Sequence, residues 1–222
     1  MSRLVVKVGG AVAESAAGTV LELAAGQDEV CVVHGAGPQI SEDMKRFGLE
    51  VEFVGGRRVT SPAALMLVRR SLDGVNRALC AAIGPRAMGM LGDEIGLQAE
   101  RVPELGLVGK PLPSRPRAVE AALAAAKIPV VAPLAVGPLN VNADEAAAAL
   151  AVGLGAERIL FVTDVPGLLL RGSVVDTIAA GEADRLLNEG ELEGGIVPKL
   201  RAAVTAARLG VRAEIGETAV TA

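Results

Sequence analysis

The chain has 222 residues, with 22 Lys and Arg against 26 Asp and Glu, a net charge of −4 and 51% hydrophobic residues. That length accommodates one α/β domain with a full core. No apolar run nears the ~20 residues of a membrane span, and the first strand starts too early for a signal peptide, so a soluble cytoplasmic protein is expected. With no Trp, no Tyr and no basic run, little is available to stack bases or track phosphates, and nucleic acid is not an expected partner.

"RLVVKV", Arg3 to Val8, reads as a buried parallel strand that carries a lysine and then runs into Gly9 and Gly10. An unpaired buried ammonium is costly. Lys7 therefore either snorkels to solvent from a strand end or faces an anion, and only the anion also accounts for the glycines. "EVCVVH", Glu29 to His34, is a second apolar strand, broken by "GAGP" and followed by helix from Pro38 to about Phe47. "VEFV" is a short strand and "GGRRVT" a loop. Ser61 caps a long helix opened by Pro62, with Leu65, Leu72 and Leu79 at seven-residue spacing. From Ala87 to Pro116, Gly and Pro punctuate short strands and hairpins.

"RAVEAALAAAK" is helical and "IPVVAP" a strand. "GPLNVNADEAAAALAVGLG" is a loop feeding a helix that Asp144 could cap. "RILFVT" is a buried strand stopped by "DVPGLL". A helix from about Pro198 to Leu209 and the strand "VRAEIG" close the pattern. Strands alternating with helices predict a three-layer α/β/α sandwich with a mainly parallel central sheet. It forms a single domain over 1–222 with approximate lobes at 1–135 and 136–222.

Cys31 and Cys80 are isolated and read as buried structural thiols. A single histidine, His34, and no paired cysteines leave no zinc cluster. Four loops, "KVGG", "HGAG", "VTDVPG" and "LEGGIVPK", share one feature: after a strand or before a helix, small residues let the backbone approach a ligand. The dinucleotide fingerprint, Walker A and protein-kinase motifs are all absent.

Taken in order, "KVGGAV", "VVHGAGPQI", "FVGGRRVTSP", "LNVNADEAA", "FVTDVPGLL" and "GGIVPKLRAA" resemble the motifs of the amino acid kinase family, from Arg3 to about Gly210. Within it they are most similar to the branch that phosphorylates the γ-carboxylate of N-acetyl-L-glutamate in arginine biosynthesis. The resemblance implies ATP with Mg2+ carried on the nucleotide phosphates. It assigns Lys7 and Lys199 to neutralising the transferring phosphoryl group and the leaving phosphate, with Asp144 orienting both. Arg58 becomes the clamp for the acceptor's α-carboxylate and Asn140 a ligand of its main-chain end. Gly35, Ala36 and Gly37 become N–H donors to the γ-carboxylate. Gly9, Gly10, Asp164, Gly167, Leu168 and the stretch Glu191, Leu192, Glu193 border the nucleotide. Taken alone, Asp144 reads equally as a helix cap and Asn140 and Asn142 as turn residues. Arg57 has no family counterpart and is expected at the surface. A position at a helix N-terminus suits a cation poorly, which favours a bound phosphate beside Lys199. A kinase of another carboxylate, such as carrier-linked aminoadipate or glutamate, and a noncatalytic sensor on the same fold are the rival readings.

Three departures stand out. Ala36 replaces the middle glycine of "HGGGPxI", the Gly10 to Glu29 segment is short, and "EIGETAVTA" lacks the family's closing "GT" and apolar strand. Arginine-inhibited relatives carry a helix ahead of the first strand. With only Met1 and Ser2 there, the expectation is an arginine-insensitive homodimer formed by the first half through its sheet and the Pro62–Ala82 helix.

Overall fold

The structure, a computed structural model, describes residues 2–10, 16–26 and 29–222. Strand β1 (Arg3–Val8) is followed by α1 (Ala16–Ala25), β2 (Glu29–His34) and α2 (Gly37–Arg46). A hairpin of β3 (Phe53–Val54) and β4 (Arg57–Arg58) leads into the long α3 (Pro62–Ile83). Next come β5 (Ala87–Leu91), β6 (Ala99–Arg101), β7 (Val108–Pro111), α4 (Arg117–Ala124), β8 (Ile128–Ala132), β9 (Leu134–Ala135) and β10 (Leu139–Val141). The remainder runs α5 (Ala143–Leu154), β11 (Arg158–Phe161), β12 (Leu169–Leu170), β13 (Ser173–Val174), β14 (Thr177–Ala179), α6 (Ala180–Glu189), α7 (Ile196–Arg208), β15 (Arg212–Ile215) and β16 (Thr218–Thr221).

Eight strands form one sheet in the order β14-β16-β15-β11-β1-β2-β8-β5. Every neighbouring pair is parallel except β15 with β16. Alternation along β1 feeds two cores. Leu4, Val6 and Val8 pack in the layer with α1, α2 and α3, while Val5 packs in the layer with α4, α5, α6 and α7. Lys7 shares the parity of Val5, so it projects toward the α5 side. From β1 the chain crosses to β2 on one flank and later places β11 on the other. That reversal at β1 leaves a crevice outside the carboxyl ends of β1, β2 and β11.

The three-layer expectation holds, and several local expectations change. Asn142, rather than Asp144, caps α5, accepting from the N–H groups of Asp144 and Glu145 at 2.9 and 3.1 Å. Helix α7 starts at Ile196, two residues ahead of the expected Pro198. Pro198 fits inside that first turn because N–H groups there lack intrahelical partners anyway. "GETAVT" is no loose end: β16 turns back antiparallel on β15, with Thr218 and Val220 buried. The Leu65, Leu72, Leu79 seam faces its own core, where all three are buried against the sheet. "GGRRVT" belongs to a hairpin, turned by Gly55 and Gly56 at φ +57° and +81°, conformations that glycine adopts without steric cost. Cys31 is buried, which lifts its thiol to about 12, so it is inert.

Candidate active site

The crevice at the switch point is a cleft of about 440 Å³. Lys7 reaches it from the end of β1 and is 5% exposed. Its Nζ lies 2.8 Å from Asp144 Oδ1 at the start of α5, with both side chains buried. The contact is a charge pair without hydrogen-bond alignment at Oδ1. Because Asn142 has taken the capping role, the Asp144 carboxylate is free to face the strand. Lys199 enters from the first turn of α7 and donates to Gly195 O at 3.1 Å. Burial lowers its pKa first, and the charge of Lys7 lowers it further, against Asp144 and Asp164, which raise it. Two ammonium groups thus share one cleft in which Asp144 pairs with Lys7, an arrangement with room for a polyanion.

The "HGAGP" turn after β2 borders the same cleft. His34 is fully buried, its pKa lowered to about 4 by burial. Neutral, it accepts at Nε2 from Asn76 Nδ2 (3.0 Å), which also donates to Val130 O (2.8 Å). Gly35, Ala36 and Gly37 all line the cleft, with one correction to their expected equivalence. The Gly35 N–H already donates to Val8 O at 3.0 Å, so it is not available to a ligand. No side chain caps the first turn of α2, so its N–H groups are available to an anion. Gly10 packs backbone to backbone on this loop. A Cβ there would sit 2.9 Å from Ala36 Cα and from Gly35 O, so only glycine fits.

Ala36 has φ −143°, outside the left-handed region, and is buried within the α1–α3 core layer. The methyl needs no special backbone. Ala36→Gly is expected to leave acceptor binding within about twofold and to lower stability by about 1 kcal/mol, through a looser unfolded chain and a lost buried methyl. Urea titration beside acceptor calorimetry checks both. Markedly tighter acceptor binding would place the methyl in the acceptor's space.

Arg58 is 5% exposed. Its Nη2 donates to Ser41 Oγ (2.8 Å) and Gly37 O (3.1 Å), Nη1 reaches Met44 Sδ (3.4 Å), and Phe53 stacks 4.5 Å from the guanidinium carbon. Burial pulls its pKa below the ordinary value, though a guanidinium stays charged. Asn140 Nδ2 donates to Thr60 Oγ1 (2.9 Å), which donates in turn to Arg58 O (2.7 Å). That chain fixes the backbone carrying Arg58.

Gly9, Gly10 and Asp164 also line the cleft. Gly167 and Leu168 do not. Leu168 is 0% exposed in the C-terminal core and its N–H bonds Thr218 Oγ1 (2.8 Å), while a Cβ on Gly167 would strike that same oxygen. Glu191 and Glu193 are exposed outside the cleft lining, and Leu192 packs against the core. Arg57 is no loose surface residue. It makes a two-pronged ion pair with Glu145, and Asn142 Nδ2 donates to Gly56 O. The tandem arginines and the Asn-Ala-Asp-Glu run were the only sequence signals for these ties. Among the described residues no cluster of His, Cys, Asp and Glu could hold a metal by itself, and no helix is long and apolar enough to cross a membrane.

Fold and cleft together define an open α/β protein with two lysines lining a cleft at the switch point of its sheet. The chain belongs to the amino acid kinase family, whose profile matches residues 2–216. It is 43% identical to the acetylglutamate kinase of Rubrobacter xylanophilus over 97% of this chain and 88% of that one. The crystal structure of smu.665 from Streptococcus mutans UA159 superposes with a TM-score of 0.89 at 27% identity, covering 99% and 98% of the two chains. Carbamate kinase from Giardia lamblia bound to AMP-PNP shares the fold, with a TM-score of 0.73 at 13% identity, covering 99% of this chain and 98% of that one.

Proposed function

We propose that this chain transfers the γ-phosphoryl group of ATP to the γ-carboxylate of N-acetyl-L-glutamate, as an acetylglutamate kinase of arginine biosynthesis. The observation that carries this reading is the pairing of Lys7 with Asp144 across the cleft from Lys199. The acceptor oxygen attacks the γ-phosphorus, a new O–P bond forms, and the bond to the β-phosphate breaks with its electron pair leaving on ADP. The acceptor is already ionised at neutral pH, so no proton has to move and no strong base is needed. Catalysis then rests on positioning and charge neutralisation. Lys7 and Lys199 meet the charge on the transferring group and the leaving phosphate, Asp144 keeps the two ammonium groups placed, and the first turn of α2 receives the attacking carboxylate.

Mg2+ fits as cargo of the nucleotide. Asp164 is the one carboxylate besides Asp144 among the described cleft residues, so phosphates and water supply most of its ligands. When bound, the ion supplies neutralisation of phosphate charge. We read 1–135 as the acceptor side and 136–222 as the nucleotide side. The setting is cytoplasmic, where ATP is available. A homodimer is supported by the free edge of β5 and the outer face of α3. There a groove of about 920 Å³ runs beside Met66, which is 74% exposed, and a two-fold contact would close it.

The reading is tested by trapping acyl phosphate with hydroxylamine across a panel of carboxylates. N-acetyl-L-glutamate should give the highest kcat/KM, and preference for another carboxylate would overturn the acceptor assignment. Arg58→Lys should raise the acceptor KM about tenfold or more, because an ammonium cannot copy the planar fork, with the ATP KM little changed. Unaltered acceptor binding by calorimetry would remove Arg58 as the clamp.

A further inference from the structure

The β3–β4 hairpin is the least supported element around the cleft. Its ladder has two residue pairs, Phe53 with Arg58 and Val54 with Arg57, and Phe53 and Val54 are both about half exposed. A two-stranded ribbon of this length does not hold itself in water. It nevertheless carries Arg58, which must stand at a fixed distance from the groups on α5. One end is tied to α2 through the Arg58 contacts with Ser41 and Gly37. Those are contacts that a bound carboxylate would compete for, since the fork has a limited set of donors.

The other end is tied to α5. Arg57 Nε and Nη2 donate to Glu145 Oε2 and Oε1 at 3.0 and 2.9 Å. Asn142 Nδ2 donates to Gly56 O at 2.8 Å while its Oδ1 caps α5. The hairpin tip also lies beside Pro198, one residue before Lys199, where a Cβ on Gly56 would be 3.5 Å from Pro198 Cβ. Glu145 and Asp144 are consecutive, so whatever fixes Glu145 fixes the helix turn that holds Asp144 opposite Lys7.

Resting on the function proposed above, we infer that Arg57, Glu145 and Asn142 form a latch that holds the hairpin against α5 and so sets the spacing between Arg58 and the Asp144–Lys7 pair. They are positioning residues for the acceptor. The latch becomes decisive when the acceptor occupies Arg58 and loosens its hold on α2. A planar fork meeting both carboxylate oxygens is stronger and more directional than a single contact, so its loss is felt as misplacement of Arg58 and not as unfolding.

The test uses Arg57→Ala, Glu145→Ala, the double variant and the charge reversal Arg57→Glu with Glu145→Arg in the full chain. Hydrogen exchange over residues 53–60 is read beside acceptor and ATP kinetics. Each single variant should speed exchange in the hairpin while the central sheet stays protected. Each should raise the acceptor KM roughly 1.5- to fivefold, the range for one partly exposed pair, with the ATP KM unchanged. The double variant should be no worse than either single one, and the reversal should recover part of the loss. Unchanged hairpin exchange, or additive losses in the double variant, would overturn the latch. Faster exchange with an unchanged acceptor KM would leave a tether with no positioning role, which also overturns it. If the unaltered chain fails to phosphorylate N-acetyl-L-glutamate, the proposed function is wrong and the acceptor-positioning role falls with it, even where hairpin exchange still responds to the variants.

Discussion

Lys199→Ala is expected to lower kcat by about 10²-fold or more with a smaller change in KM, the loss that follows removal of one preorganised donor at a developing charge. The same variant should keep or raise the melting temperature of the free protein. The fold holds Lys199 below its ordinary pKa, first by burial and then by the charge of Lys7. A group whose folded pKa lies below its unfolded value opposes folding in its charged form, so that stability rises with pH through the interval between the two values. Alanine removes that opposition. Kinetics and calorimetry on one preparation separate the two effects. A variant that retains turnover would remove Lys199 from the mechanism, and one that loses activity only by melting would show it to be structural. Lys7→Ala should lower kcat as strongly but should also cost stability, because Asp144 then keeps a buried carboxylate without its nearest partner.

Asp144→Asn should be the most disruptive neutral replacement in the cleft. It leaves the shape nearly unchanged and withdraws the carboxylate paired with Lys7. Breaking a buried pair from one side costs about 3 kcal/mol, which is roughly 6–12 °C in a domain of this size. Turnover should fall with it, since neither lysine keeps its place. The sign of the salt effect is diagnostic. Phosphate or pyrophosphate should raise the melting temperature more in Asp144→Asn than in the unaltered chain, because the anion replaces the missing carboxylate beside Lys7. Equal stabilisation in both would mean that Asp144 does not organise the lysines.

The central puzzle of the cleft was legible in the sequence. A lysine inside "LVVKV" had to face either solvent or an anion, and the parity of the strand turns it toward α5, where Asp144 meets it. The layered fold followed equally from strands alternating with helices. What could not be read were features that depend on which neighbour a group meets. Helical spacing gave Leu65, Leu72 and Leu79 an apolar face, but only the tertiary arrangement turned it inward. The Gly35 N–H looked free until β1 came alongside and its Val8 carbonyl took it. Arg57 and Glu145 are 88 residues apart, and no local pattern joins them. Leu168 sat inside a motif suggestive of nucleotide contact, yet its side chain fills the core. Short strands such as β16, with four residues of mixed character, carry too little periodicity to be told from coil.

The most direct measurement is a crystal structure of the chain with N-acetyl-L-glutamate and a nonhydrolysable ATP analogue bound together. The γ-phosphate should lie within hydrogen-bonding reach of both Lys7 Nζ and Lys199 Nζ, with the acceptor's γ-carboxylate at the first turn of α2 and its α-carboxylate on Arg58. A nucleotide whose terminal phosphate sits away from the two lysines, or an acceptor seated outside this cleft, would contradict the assignment of the cleft as the site of phosphoryl transfer.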